Sequence, residues 1–267
     1  MRCPSTMADL RSRRSFVRLS GLSLAGALTS LAQQSPARVP DAVGQLIVAV
    51  ADTWNSQKGQ LMVFERTAPG AAWQPALNKA VPVLFGKSGL AWGNGVLPVP
   101  HGQGGVPSKR EKDQRAPAGL FRIGMLFGDA PRPPAGVVHP FYQITARDCW
   151  IDDPAHEAYN RHIVVDPRNP PAWYEKQRMR LGDFAYEFLL EIRHNADPPV
   201  PGHGSAIFFH IRRGANTPTH GCTTMARPDL VTLLQRLRPA LKSHYLLLPR
   251  AEYAARIKAW GLPPQMP

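Results

Sequence analysis

Three residues able to do nucleophilic chemistry lie close together late in the chain: His210, His220 and Cys222, within Phe208-Phe209-His210-Ile211-Arg212-Arg213-Gly214-Ala215-Asn216-Thr217-Pro218-Thr219-His220-Gly221-Cys222. A cysteine attacks as its thiolate, a minority species near neutral pH for a thiol of pKa ~8.5, so a reactive cysteine needs an imidazole beside it. Both histidines are candidates. The bland alternative is a buried, inert Cys222 with two ordinary loop histidines. Asp152 and Asp153 are a second pair with acid/base potential. Adjacent carboxylates point different ways in extended chain, however, and a turn before Pro154 explains them equally well.

The elements that must hold the thiol and the imidazoles are legible around them. An apolar strand over residues 205–211 ends on His210, a Gly/Asn/Pro loop follows, and Pro228 with Asp229 opens a helix whose Leu230, Leu233, Leu234 and Leu237 share one face. Upstream, residues 45–51, 60–66, 81–85 and 184–192 read as strands, with a turn at Ala68-Pro69-Gly70. Residues 245–248 form another strand, and residues 250–260, stopped by Gly261, form the last helix. The expectation is a mostly β fold, a β-sandwich or open barrel, with two packed helices near the C-terminal end. The glycines of residues 86–105 read as loop; no strand-to-helix switch or Gly-Lys-Ser ending makes them a phosphate cradle. Residues 109–115 read as the solvated tip of a hairpin. Cys149, between Asp148 and Trp150, is expected to be half-buried, and His139 and His203 to be structural or on the surface.

The 267 residues suit one domain, and the net charge of +13 is strongly basic. Basic charge fits a polyanionic envelope polymer or a membrane surface, although a solvated face is the commoner cause. No nucleic-acid partner is expected, because no helix-turn-helix, zinc-finger spacing or aromatic RNA-binding signature is present. The first 32 residues read as an export leader: Ser12-Arg13-Arg14-Ser15-Phe16-Val17-Arg18 resembles a twin-arginine motif ahead of a weak apolar stretch at residues 19–31. That stretch is shorter than the ~20 residues a spanning helix needs, so no stable membrane insertion is expected once the leader is cleaved. The expected layout is a leader at residues 1–32, a flexible lead-in at 33–42, and a catalytic domain at 43–267, exported to the periplasm or cell envelope as a monomer. With Cys3 in the leader, Cys149 and Cys222 remain, and a disulfide between them would block thiol chemistry.

Thr219-His220-Gly221-Cys222, downstream of a strand ending in His210, resembles the L,D-transpeptidase catalytic domain of YkuD type. The stretch from Lys109 to Phe121, a charged loop running into Pro117-Ala118-Gly119, is similar to the same family. The resemblance implies that Cys222 is the nucleophile and His210 the general base and acid, with His220 shaping the loop and helping to hold the imidazole. Gly221 then permits a sharp turn, and N–H groups around Gly221 and Cys222 make an oxyanion hole, where one donor is worth ~3 kcal/mol. Thr219, Arg212, Arg213 and Tyr142 are the candidate substrate contacts. The implied substrate is a peptidoglycan stem peptide, and no metal or organic cofactor is required, since a thioester conserves the bond energy. Cross-linking of 3-3 or 1-3 type, with acylation of Cys222 by carbapenems, follows from the same resemblance. Two departures mark this chain: a short interval from His210 to Cys222, and Thr224 where many members carry arginine. The alternatives are an L,D-carboxypeptidase or amidase that hydrolyses the same thioester, and a catalytically dead peptidoglycan-binding module.

Overall fold

Apolar runs bounded by turn residues become strands, and the longest runs become the central ones. The structure, a computed structural model, describes residues 37–166, 168–179 and 182–264. The leader, and the lead-in up to residue 36, lie outside the described residues. The strands in chain order are β1 (Gln45–Ala51), β2 (Lys58–Glu65), β3 (Gln74–Pro75), β4 (Val81–Leu84) and β5 (Leu90–Trp92). Next come β6 (Ala116–Gly128), β7 (Phe141–Gln143), β8 (Asp148–Trp150) and β9 (His162–Val164). After the short helix α1 (Tyr174–Gln177), β10 (Phe188–Ile192), β11 (Phe208–Ile211) and β12 (Thr223–Met225) lead to helix α2 (Arg227–Arg236), β13 (His244–Pro249) and helix α3 (Arg250–Trp260).

Eight strands form a mixed barrel in the order β1, β13, β6, β10, β11, β12, β4, β2, closed by pairing of β2 with β1. The β1–β13 and β11–β12 contacts are parallel, and the others in the ring are antiparallel. The mostly β frame matches the expectation. Closure goes further than an open sheet, because β1 finds a partner on each side and the ring is left without an exposed edge. β1 and β13 are buried at every position. Such strands need cover on both faces, and α3 packs against both of them.

Inside, the Tyr245 ring lies 4.6 Å from Phe209 and 6.5 Å from Phe121. Helix α2 packs on β11 through its buried Leu230, Leu233 and Leu234, which join the same core as Phe209 and Tyr245, each contributing ~2 kcal/mol by burial. Pro228 and Asp229 sit in its first turn, where proline forfeits no helical hydrogen bond and the acid complements the helix dipole. α3 ends at Gly261, whose φ of 66° a glycine adopts without strain.

Four local expectations change. Residues 184–186 form a 3₁₀ turn ahead of β10, because Asp183 accepts a hydrogen bond from the Ala185 N–H at 3.1 Å and caps the turn. The Gly-rich stretch contains β5, which runs parallel to β6. Cys149 is fully buried at 0 % exposure instead of half-buried, since β8 sits under Ile151 and Tyr174. Within the expected lead-in, Val39 is buried and its N–H donates to the Trp260 carbonyl at 2.9 Å, so packed chain precedes residue 43. Among the described residues no helix is long and apolar enough to cross a membrane.

Candidate active site

The β11–β12 pair sets the geometry. Its parallel register matches Phe209 with Thr223 and His210 with Thr224. Side chains alternate faces along a strand, so Phe209 and Thr223 point together toward the core, where Thr223 Oγ1 shares a 2.9 Å hydrogen bond with the Tyr245 hydroxyl. Their neighbours point the opposite way. His210 and Thr224 therefore face outward, and Cys222, just ahead of β12, joins them around a cavity of about 770 Å³.

Thr219 staples the turn that carries the thiol. Its hydroxyl donates to the Cys222 carbonyl at 2.7 Å and accepts from the Gly221 N–H at 3.0 Å, while its backbone bonds to Phe85 and Lys87 at 2.8 Å each. Gly221 has φ 148°, and a Cβ there would lie 3.1 Å from the Arg115 carbonyl oxygen and 3.2 Å from Ile207 Cδ1. Only glycine fits.

Facing the turn is a shelf of Gly204, Ser205 and Ala206. The Cys222 thiol donates to the Ala206 carbonyl at 3.5 Å. Ala206 is held at φ 54°, a conformation that a residue with a Cβ adopts only under constraint. Asn160 supplies that constraint. Its Oδ1 accepts from the Ala206 N–H at 3.0 Å and from Trp150 Nε1 at 3.2 Å, and its Nδ2 donates to the carbonyls of His194 and Asn195 at 2.9 and 2.8 Å.

Burial governs the protonation of the pair. His210 is only 6 % exposed, and burial, aided by the Arg213 charge, brings its pKa down to about 4 against the pull of the Ile211 and Ala185 carbonyls. Burial likewise lifts the Cys222 thiol to about 11, opposed by the Phe208 backbone and the Lys109 charge. Protein atoms surround the sulfur densely enough for burial to dominate its acidity, yet the residue keeps partial exposure toward the cavity, and reagent access depends on that exposure. Near neutral pH the resting pair is thus an uncharged thiol and an uncharged imidazole. Among the described hydrogen bonds the imidazole Nδ1 engages the Ile211 carbonyl at 3.0 Å and the thiol engages Ala206, so the two groups share the cavity without a bond between them.

Of the expected site residues, Cys222, His210, His220, Gly221, Thr219 and Arg213 line this cavity. His220 is exposed there. Arg213 is tied to Asp183 at 2.6 Å and lies 5.8 and 5.4 Å over the Phe184 and Tyr186 rings. Arg212 and Tyr142 are not among the lining residues. The Arg212 N–H extends the strand pairing to the Met225 carbonyl, and Tyr142 packs beside Phe127 and His162, with ring centres 5.8 and 5.0 Å away. Asp152 does reach the cavity wall, with its carboxylate accepting from Gln177 Nε2 at 2.9 Å. Cys149 and Cys222 are both free thiols.

Sequence reasoning missed Lys109 and Glu111. Read as a solvated tip, residues 109–115 in fact alternate, with Lys109, Glu111, Asp113 and Arg115 more enclosed than Arg110, Lys112 and Gln114. Lys109 is 4 % exposed, and its ammonium donates to Asp113 Oδ1 at 2.6 Å and to the Arg110 carbonyl at 2.7 Å. Glu111 accepts from the Tyr159 hydroxyl and from Ser205 Oγ at 2.8 Å, which braces the shelf from below. The i, i+2 spacing of acid and base was the available signal. Among the described residues no cluster of histidine, cysteine or carboxylate side chains is able to hold a metal ion.

The family model for the YkuD domain, described as an L,D-transpeptidase catalytic domain, matches residues 80–243, which include the whole cavity wall from Lys87 to Thr224. No curated protein matches the chain.

Proposed function

The chain belongs to the YkuD family of L,D-transpeptidase catalytic domains, and from that premise we propose that it is an exported peptidoglycan L,D-transpeptidase with Cys222 as nucleophile and His210 as general base and acid. The observation that carries this reading is that His210, on the outer face of the β11–β12 pair, and Cys222, in the turn just ahead of β12, both line one cavity. The family acts on peptidoglycan, which supports that polymer as the substrate here. Export to the periplasm rests on the twin-arginine residues Arg13 and Arg14.

With both groups neutral at rest, the thiol transfers its proton to the imidazole as the sulfur attacks the donor peptide's carbonyl at the L-centre of diaminopimelate. A C–S bond forms and the carbonyl oxygen takes up negative charge; the Gly221 N–H is already donated to Thr219 Oγ1, so the oxyanion donor falls to another group beside Cys222. Collapse breaks the C–N bond to the terminal D-alanine, whose amine takes the proton from His210. The side-chain amine of a second stem peptide then attacks the thioester and gives its proton to His210; the C–S bond breaks, the imidazole returns that proton to the sulfur, and a new peptide bond and a free thiol remain.

Incubating the mature protein with sacculi, and identifying products by mass spectrometry, tests the reading. New dimers are expected with the native protein and none with Cys222→Ala. Trimmed monomers alone would make the protein a hydrolase of the same thioester, and full activity in Cys222→Ala would overturn the thiol mechanism.

A further inference from the structure

A buried thiol and a buried imidazole, both uncharged, leave open what stabilises negative charge on sulfur when the proton moves. The cavity is lined by Lys87, Lys112 and Arg213 as cations, Glu111 and Asp152 as carboxylates, and His210 and His220 as imidazoles. Arg213 is engaged with Asp183, and Glu111 with Tyr159 and Ser205. Lys87 and Lys112 are exposed. Lys109, the fourth cation in the lining, is different in kind. The Lys109 side chain is 3 % exposed, too enclosed to reach out for a substrate group, and its stem runs between the two glycines that shape the site. A Cβ on Gly204 would lie 3.0 Å from Lys109 Cγ, and one on Gly221 would lie 3.8 Å from Lys109 Cε. Both glycines have positive φ, 95° and 148°. The shelf that accepts the thiol's hydrogen bond and the turn that carries the thiol therefore close on this one lysine.

We infer that Lys109 is a positioning residue for charge: its ammonium, fixed by Asp113 and the Arg110 carbonyl beside the Gly221–Cys222 turn, stabilises the anionic sulfur that forms during attack. A buried cation acts on a neighbouring charge with little screening, so a lysine that never touches substrate still lowers the energy of the thiolate. The Lys109 charge already pulls the Cys222 thiol downward against burial. Asp113 accepts from the Lys109 ammonium and from the backbone N–H groups of Arg110 and Arg115, which orients the pair.

The inference rests on Cys222 as the nucleophile, but thiol alkylation tests it apart from transpeptidation. Iodoacetamide labelling of Cys222, followed across pH by peptide mass spectrometry so that buried Cys149 is scored separately, compares Lys109→Met, Lys109→Arg and the native mature protein. Lys109→Met should move the labelling midpoint to higher pH and slow alkylation at pH 8 roughly tenfold, with Lys109→Arg restoring most of the loss. An unchanged midpoint in folded Lys109→Met, or an Arg variant as impaired as the Met variant, would overturn it. If Lys109→Met does not fold, Asp113→Asn decides: a midpoint moved to lower pH supports the inference, and an unmoved or raised midpoint overturns it. A native protein that makes no dimers from sacculi, yet shows the Lys109-dependent midpoint, would sink the proposed function and leave this inference standing.

Discussion

The two faces of the β11–β12 pair share one backbone and differ in almost everything else. On the inner face Phe209 packs 4.6 Å from Tyr245, and Thr223 shares a hydrogen bond with the same tyrosine, so every group has a partner. On the outer face His210 is buried at a depressed pKa of about 4, Cys222 has its thiol raised to about 11, and Thr224 Oγ1 is buried with no partner. The inner face is built for stability. The outer face holds groups in states that folding alone would not favour, which is where chemistry is expected.

The widest separation between the faces should come from two single substitutions. His210→Ala is expected to lower D-alanine release from a tetrapeptide substrate by about 10²–10⁴-fold while leaving thermal unfolding nearly cooperative and unshifted. Phe209→Ala, one residue away, should destabilise the fold by about 3–5 kcal/mol in a denaturant titration. A His210→Ala protein that unfolds as readily as Phe209→Ala would erase the distinction.

Acid should expose the outer face next. His210 and His194 have pKa values pushed by burial to about 4 and about 3, below the 6.5 of an unperturbed imidazole. The unfolded chain therefore binds more protons than the folded one through this range, so stability is full above pH 6.5 and falls as pH drops toward 4. Glu191, whose pKa burial raises, works in the opposite direction. Melting temperatures measured between pH 7 and pH 4 should decline, and His210→Gln should flatten part of that decline. An identical slope in His210→Gln would mean that the ring is not held neutral by burial.

Support for the outer face is a smaller effect with a separate address. Asn160→Ala removes the acceptor for the Ala206 N–H and for Trp150 Nε1, together with two donors, and should cost about 1–3 kcal/mol. Because Ala206 keeps a strained φ only while held, thiol alkylation should also change in rate once the shelf relaxes. Lost stability with unaltered alkylation would show that the shelf does not position Cys222.

The parts of this site that were legible in the sequence are those with local rules. An apolar run ending on His210, a glycine before Cys222, and a Pro-Asp helix start each follow from backbone chemistry within a few residues. The partners of the outer face come from far along the chain. Asn160 and Glu111 meet the shelf at Ser205 and Ala206 only because the barrel closes; the i, i+2 alternation of residues 109–115 marks the enclosed side of the Glu111 segment but does not name its partner. Arg212 fails for the opposite reason: strand pairing continues through its backbone to Met225, and its side chain falls outside the cavity lining, while that of Arg213, the next residue, falls within it. Tyr142 lies on β7, beyond the ring strands that frame the cavity, and packs into the apolar cluster that Ala206 and Cys222 also adjoin without itself joining the cavity lining.

The finest test uses the same substitution on adjacent residues. Thr223 and Thr224 are both about 1 % exposed, so composition, burial and strand position do not distinguish them. Their hydroxyls do. Thr223→Val removes the hydrogen-bond partner of the buried Tyr245 hydroxyl, and an orphaned buried group costs about 1–3 kcal/mol. Thr224→Val replaces a hydroxyl that has no partner to lose with a methyl of similar shape, so it should raise stability by up to about 1 kcal/mol. Urea titrations of the two variants should move their midpoints in opposite directions. If both move downward together, the Thr224 hydroxyl has a partner in solution, a water or a neighbour across the cavity, and the outer face is as fully satisfied as the inner one.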